Sequence, residues 1–362
     1  MKHNLPVQQS PRELNTSFFA PAFKGIFALL LSASLSVSLS TSSEAQNALS
    51  IAISTSGTPT KEQSRFIEGV NLFKATKGGP SFGIANTPPT ADNIGSSTAL
   101  VSWNTPEVDP LSPALLEKKI VGIIANSVTK RVMYLGSYVF GFGYSEELTY
   151  KNYASVAGKK LSANRICVTR SNTPLQEIRT NSFIEQSKSL GNTIVFNELL
   201  SPSDAGTLLS KATNEKCDIF FSALEESDVD AFLTAAKGSN YKGKILLGDL
   251  DPFAHPLVKE VSTQVYGVST LVTNEEFLAL ATKSLGRTLT AKELGDIALG
   301  YDLMTCVAAT QGELSADTLK YSFLASPCEG LTGVTKFSGQ RISQRAKKVV
   351  NMTGGSPVLV EL

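Results

Sequence analysis

From Ser145 onward the chain repeats one pattern: a short apolar run, a capped helical stretch, then another apolar run. "RICVT" is followed by a helix that Thr173 caps, with Pro174 in its first turn and Gln176 completing a capping box, and "NTIVFNEL" is the next strand. "SPSDAGTLLSKATNEK" leads into "CDIFFSAL". "ESDVDAFLTAAKGS" puts Val229, Phe232, Leu233 and Ala236 on one helical face and leads into "GKILLGD", and "TQVYGVST" closes the series. Consecutive strands separated by helices must pair in parallel through right-handed crossovers, so this stretch predicts a doubly wound α/β sheet covered on both faces. In the 2-1-3-4-5 order usual for such sheets the first and third strands adjoin, which brings Cys167 and Cys217 close together.

The preceding segment carries the same alternation less regularly. "ALSIAIST" is a strand. The helix after it has a Thr60/Gln63 capping box, an apolar face of Phe66, Ile67, Val70 and Phe73, and a stop at Gly78-Gly79. Ser81 to Ser97, rich in Pro, Gly, Asn and Ser, is loop with one short strand at most. "TALVSW", the helix "SPALLEKK", "IVGIIAN" and "YVFGFG" resume the pattern. At 362 residues the chain exceeds what one hydrophobic core usually serves, so two lobes are expected. After Thr273 come two helices, the second with Leu294, Ile297, Ala298, Tyr301 and Thr305 at core spacing. The end turns to strand and hairpin composition, with Gly354-Gly355 fitting a turn.

Lys2, Arg12 and Lys24 precede an apolar run from Gly25 to Leu39 that is short for a permanent membrane span, and small Ser43 and Ala45 suit a peptidase cut. This predicts export to the periplasm with residues 1–45 removed. No cysteine follows the run until Cys167, so lipid attachment is not indicated. An oxidising compartment permits bridges among the four cysteines, and Cys306 with Cys328 is the better candidate pair, while Cys167 and Cys217 fit either a bridge or buried thiols. No metal site is expected, because there is no C-x-x-C and His255 is the one histidine past residue 45.

The net charge of +1 and the thin spread of Lys and Arg argue against nucleic-acid binding. Ser-His-Asp hydrolysis would have to use His255, which sits between prolines, and no G-x-S-x-G elbow exists. "GFGYSE" has Glu146 where a dinucleotide fingerprint needs its third glycine, and there is no Walker loop. Neither catalysis nor a cofactor is expected, and an exported enzyme on this scaffold is the most distant reading.

Three stretches resemble the type I periplasmic binding proteins of the leucine/isoleucine/valine-binding class: "KEQSRFIEGVNLFKATKGG", "ELGDIALGYDLMTCVAA" with Tyr301-Asp302, and "GLTGVTKFSGQRISQRAKKVVNMTGGSPVLV". The resemblance implies two doubly wound parallel-sheet lobes joined by three hinge crossovers near Phe142, Asp251 and Gly333. Residues 46–141 and 253–332 would form the first lobe, and residues 142–252 and 333–362 the second. It further implies a hinged receptor for a small polar, amino-acid-like solute that is passed to an ABC permease. "YVFGFGYSEELTYKNYAS", "LLGDLDPFAHP", "QVYGVST" and the Arg341/Arg345 tail are also similar to penicillin-binding-protein activators, which implies as alternative a regulator that contacts a peptidoglycan synthase.

In the solute-binding class a strand-end Ser/Thr loop holds the ligand carboxylate, and "IIANSVT" falls there, giving Ser127 and Thr129. The strand end "SWNT" adds Trp103, Asn104 and Thr105. The second-lobe strand ends "RSNTP", "SALEE" and "GDLDP" lack the tyrosines common in the class but offer Glu225, Asp249 and Asp251 to a ligand ammonium.

Overall fold

The computed structural model describes residues 51–361 apart from 55–57, 81, 86–89, 93, 96, 249–254, 271, 311–313, 338 and 354–357. The expected signal peptide, Asp249, Asp251 and the Gly354-Gly355 turn lie outside the described residues. Two main sheets organise the chain. The first contains β1 (Ile51–Ser54), β2 (Phe82–Ala85), β3 (Ala99–Asn104), β4 (Val121–Val128) and β5 (Val139–Gly141) in the order β2-β1-β3-β4-β5, with β6 (Tyr144–Ser145) also paired to β4, and every pairing is parallel. Helix α1 (Lys61–Lys77) starts at the expected Thr60/Gln63 box and ends at Gly78, whose N–H donates to the Lys74 carbonyl at 3.0 Å. Short α2 (Thr105–Val108) and α3 (Ser112–Glu117) connect β3 to β4.

The second sheet begins after α4 (Glu146–Lys160). It runs through β7 (Arg165–Arg170), α5 (Pro174–Ser189), β8 (Thr193–Leu199), α6 (Ala205–Asn214), β9 (Ile219–Ala223), α7 (Glu226–Gly238), β10 (Lys244–Leu247) and β11 (Val265–Ser269). The pairing order β8-β7-β9-β10-β11 is the 2-1-3-4-5 winding read from the sequence. Buried clusters cover both faces, one around Phe220, Phe232 and Leu233 and the other around Tyr153, Phe183 and Phe221, as near-continuous apolar strands require.

The chain then returns to the first sheet with α8 (Glu275–Leu285), α9 (Ala291–Ala308) and α10 (Ala316–Ala325), followed by the hairpin β12 (Cys328–Gly330) and β13 (Gly333–Thr335). Leu303, Met304, Val307, Leu319, Phe323 and Phe337 share one core with Ile53, Val101 and Ile123 of the first sheet. The chain ends in β14 (Lys348–Asn351) and β15 (Val358–Leu359), antiparallel additions beside β11.

These memberships move two of the expected crossovers. Because β11 pairs in parallel with β10, the chain leaves the second sheet past Ser269 and not near Asp251. Because Gly333 belongs to the β12–β13 hairpin, and Phe337 and Ile342 pack in the cores beside the first sheet, the final passage comes after Ile342 and not near Gly333. The first passage runs from Ser145, still paired with β4, directly into α4, a short way past Phe142.

Both cysteine pairs are bridged. Cys306–Cys328 ties α9 to β12 with Cα atoms 5.5 Å apart, and Cys167–Cys217 ties β7 to the turn before β9 at 5.9 Å. Helices α1 and α9 approach each other closely. A Cβ at Gly69 would lie 1.9 Å from the Ile297 carbonyl oxygen, and one at Gly300 would lie 2.0 Å from that of Phe66. Charges rim this contact: Arg65 approaches Glu293 at 3.4 Å and Asp296 at 3.5 Å, and Lys292 meets Glu62 at 3.0 Å. Burial nevertheless pushes the Asp296 carboxyl up to about 7, outweighing the pull of Lys292 and Arg65, with Glu62 adding to the rise.

Two outcomes follow from this interface. Gly300→Ala should lower unfolding stability by about 3 kcal/mol in urea titrations, since backbone on both sides leaves no room to adjust. Asp296 holds its proton in the folded chain up to about pH 7 but in the unfolded chain only to near its ordinary value of 3.8. Its contribution is therefore favourable below about pH 4 and is lost as pH rises to 7. Asp296→Asn should flatten that slope in urea midpoints measured from pH 5 to 8, and an unchanged slope would refute the assignment.

Candidate functional site

A cleft of about 600 Å³ lies at the carboxyl ends of the parallel strands. The first lobe lines it with Trp103, Asn104 and Thr105 at the end of β3 and with Asn126, Ser127 and Thr129 at the end of β4, while the second lobe contributes Leu224 and Glu225 after β9 and Pro174, Leu175, Gln176, Ile178 and Arg179 at the start of α5. Six of the eight residues singled out in the sequence, Trp103, Asn104, Thr105, Ser127, Thr129 and Glu225, thus face one space.

Their hydrogen bonds are largely internal. Asn104 caps α2 by accepting from the Glu107 N–H at 3.3 Å. The Glu107 carboxylate in turn accepts from the Trp103 N–H at 2.8 Å and from Asn104 Nδ2 at 3.0 Å. Burial raises the Glu107 carboxyl above its ordinary value, while the N–H groups of Trp103 and Asn104 pull it back. Trp103 stands edge-on to Phe66, with ring centres 5.6 Å apart. Thr105 donates its hydroxyl to the Ser127 carbonyl at 3.3 Å and accepts from the Thr129 N–H at 3.1 Å.

Ser127 reaches out of its own lobe. Its hydroxyl donates to Glu146 Oε1 at 2.6 Å, and Arg179 clasps the same carboxylate with Nε at 2.7 Å and Nη2 at 3.1 Å. Glu146 and Arg179 are each 3% exposed, and the guanidinium lies 5.5 Å from the centre of the Tyr150 ring. Gln176 continues the chain: its Oε1 accepts from Arg179 at 3.4 Å, and its Nε2 donates to the Leu224 carbonyl and to Glu225 Oε1, both at 3.1 Å. Thr173 donates to the same Glu225 oxygen at 2.7 Å.

Gln176 therefore does not complete the expected capping box. Thr173 accepts from the Gln176 N–H, but the Gln176 side chain is drawn into the cleft network. Sequence reading also missed Glu146 and Arg179. In the sequence Glu146 is an ordinary acidic first-turn residue and Arg179 an unremarkable helix cation. The available signal was a glutamate directly after the expected first crossover.

Other groups lie outside this cleft. His255 pairs with Asp230 at 2.6 Å and is not among the cleft residues. Arg341 and Arg345, expected as a basic tail, turn inward: Arg341 donates to the carbonyls of Val139 at 3.2 Å and Met133 at 3.1 Å, and Arg345 to Asp302 at 3.4 Å. Asp302, of the Tyr301-Asp302 pair, also accepts from the Leu331 N–H at 2.6 Å and the Thr332 N–H at 2.8 Å. Among the described residues no helix is long and apolar enough to cross a membrane.

Trp103 is the sole tryptophan of the chain, so its emission reports this cleft wall. Glu107→Ala should lower stability by about 2 kcal/mol, the scale for lost bonds to a charged group, and shift Trp103 emission to the red. Unchanged emission would mean that Glu107 does not hold the Trp103 backbone.

No protein-family model matches the chain, and no curated protein does. Solved structures do. An ABC transporter substrate-binding protein from Desulfitobacterium hafniense in complex with Leu is 17% identical, with 86% of this chain and 99% of that chain covered, at a TM-score of 0.70. A leucine-binding protein from Thermotoga maritima is 16% identical over 86% of this chain and 98% of its own, at 0.70. A solute-binding protein of an ABC transporter from Rhodopseudomonas palustris, in complex with p-hydroxybenzoic acid, is 16% identical over 86% and 95%, also at 0.70. None of these neighbours is an activator of penicillin-binding proteins, and that alternative gains no support from them. The chain has the two-lobed α/β fold of type I periplasmic binding proteins of the leucine/isoleucine/valine-binding class.

Proposed function

We propose that this chain is a periplasmic solute receptor of the Venus-flytrap kind, exported with removal of residues 1–45, which holds a small polar solute in the interlobe cleft and delivers it to an ABC permease. The observation that carries this reading is the cleft itself: strand-end residues from both lobes converge on a space of about 600 Å³, the size range of small-molecule sites. The neighbours of the same fold support it, being substrate-binding proteins of ABC transporters.

Within the cleft, Glu225 is the group suited to a ligand ammonium. It is half-buried, and the bonds from Thr173 and Gln176 both end on Oε1, so Oε2 faces no hydrogen-bond donor among the described residues. Trp103, Pro106, Pro174, Leu175 and Ile178 supply apolar wall for the body of the solute. A protein of this kind needs no nucleophile or general base. Recognition comes from burying the solute between lobes that close about a hinge.

A thermal-shift panel of amino acids, amines, sugars and carboxylic acids tests the reading. A true ligand at a hundredfold excess over its Kd should add about 2.7 kcal/mol of stability. Glu225→Gln should weaken an ammonium-bearing ligand by about 1.5–3 kcal/mol, the worth of one charge-assisted contact. A panel that leaves the melting temperature unmoved would refute the receptor reading.

A further inference from the structure

Resting on the receptor reading, we infer that Glu146 is a built-in occupant of the cleft's carboxylate seat, so that the solute taken by this site is an organic ammonium with an apolar body and no carboxylate. The seat is the meeting point of the Ser127 hydroxyl and the Arg179 guanidinium. A planar cation flanked by a hydroxyl donor, both at the wall of a cleft, is a two-pronged site for a carboxylate. Glu146 fills it: Nε and Nη2 of Arg179 and Oγ of Ser127 all end on its two oxygens, at 2.7, 3.1 and 2.6 Å. The neighbouring Thr129 N–H, another donor an anion could use, is spent on Thr105.

Charge balance points the same way. Arg131 at the cleft is neutralised by Asp109, with Nε and Nη2 bonded at 2.8 and 3.0 Å, and Arg179 is neutralised by Glu146. Glu225 has no cationic partner among the described residues. Among the described residues the cleft therefore carries an excess negative charge before any ligand arrives. An incoming carboxylate would face Glu225 and would either share Arg179 with Glu146, setting two like charges on one guanidinium, or displace Glu146 from a site 3% exposed and leave its charge unpaired. An ammonium meets the opposite situation. Glu225 compensates it, and the Trp103 ring in the wall of the same cleft suits an ammonium head or its alkyl body.

Matched pairs that differ only by the carboxylate test this on the whole protein: 3-methylbutylamine against leucine, and phenethylamine against phenylalanine, with benzoate as an acid lacking the amine. Binding is read by thermal shift and by Trp103 emission. On the wild-type protein each amine should bind more tightly than its amino acid by about tenfold or more, the effect of one unfavourable charge contact, and benzoate should not bind. Glu146→Gln, which keeps the shape but removes the negative charge facing Arg179, should reverse the preference, with leucine and benzoate gaining affinity and the amines losing none. Should that variant fail to fold, the wild-type pairs decide alone. Leucine or benzoate binding the wild type as tightly as the amines, or a solute of another class binding alone, overturns the inference and leaves the receptor reading standing. No response to any solute in the wider panel removes both.

Discussion

Two chain segments far apart in sequence run side by side where the lobes meet, and the cleft exists because they do. Gly141 donates its N–H to the Arg341 carbonyl at 2.9 Å, Ser343 donates back to Gly141 at 2.9 Å, and Ser145 donates to Arg345 at 3.0 Å. This parallel bridge fixes how the end of β4 faces the start of α4. Gly143 is required at its centre, because a Cβ there would lie 2.1 Å from the Asn126 carbonyl oxygen. Arg345 closes the arrangement from behind, with its guanidinium 4.7 Å from the centre of the Phe142 ring and bonded to Asp302 of α9. Hinge strands, first-lobe helix and last crossover are thus bound into one knot of backbone bonds and a single buried ion pair.

Much of this architecture was legible in the sequence because local rules and tertiary demands agree. The Thr60 box, the Thr173 cap, the apolar strands and their 2-1-3-4-5 order all follow from period and punctuation. Sheet membership was less legible. The strand alternation puts Val265–Ser269 at the end of the second series while the lobe bounds taken from the resemblance put it in the first, and a strand buried throughout suits either; its pairing with β10 and β14 assigns it to the second. The cleft divided along similar lines. Strand-end positions such as Ser127 and Glu225 are fixed by topology and could be named in advance. The partners of these residues depend on which helix turns toward them, so Gln176 and Arg179 had no distinguishing mark and Glu146 only its place directly after the first crossover.

The Glu146–Arg179 pair also bears on what such a buried charge is for. Burying both ions costs several kcal/mol, and their mutual attraction is often no better than an apolar pair of the same size. Stability alone gives weak reason to keep them. Here each member has a second function: Glu146 receives the Ser127 hydroxyl from the other lobe, and Arg179 orients Gln176 toward Glu225. The pair transmits position along the cleft floor, and an apolar replacement would fill the volume while leaving the Ser127 hydroxyl without its acceptor and Gln176 Oε1 without its donor.

The placement of that network sets what lobe separation would cost. Glu146 opens α4 and Arg179 lies on α5, and both helices pack on the second sheet, through Tyr150, Tyr153 and Ile184 among others. The ion pair is internal to the second lobe. What crosses from the end of β4 to α4 is the Ser127 hydroxyl bond and the bond from the Lys130 N–H to Glu147 at 2.9 Å. Parting the lobes therefore breaks bonds to charged acceptors worth about 1.5–3 kcal/mol each, while the several-kcal/mol loss of an uncompensated buried charge never arises. The glutamates lose donors at the amino end of a helix, where exposed N–H groups and the helix field favour a carboxylate in any case. A charge kept neutral within one lobe, and joined to the other by hydroxyl and amide donors among the described residues, would let the lobes part without stranding an ion in the interior.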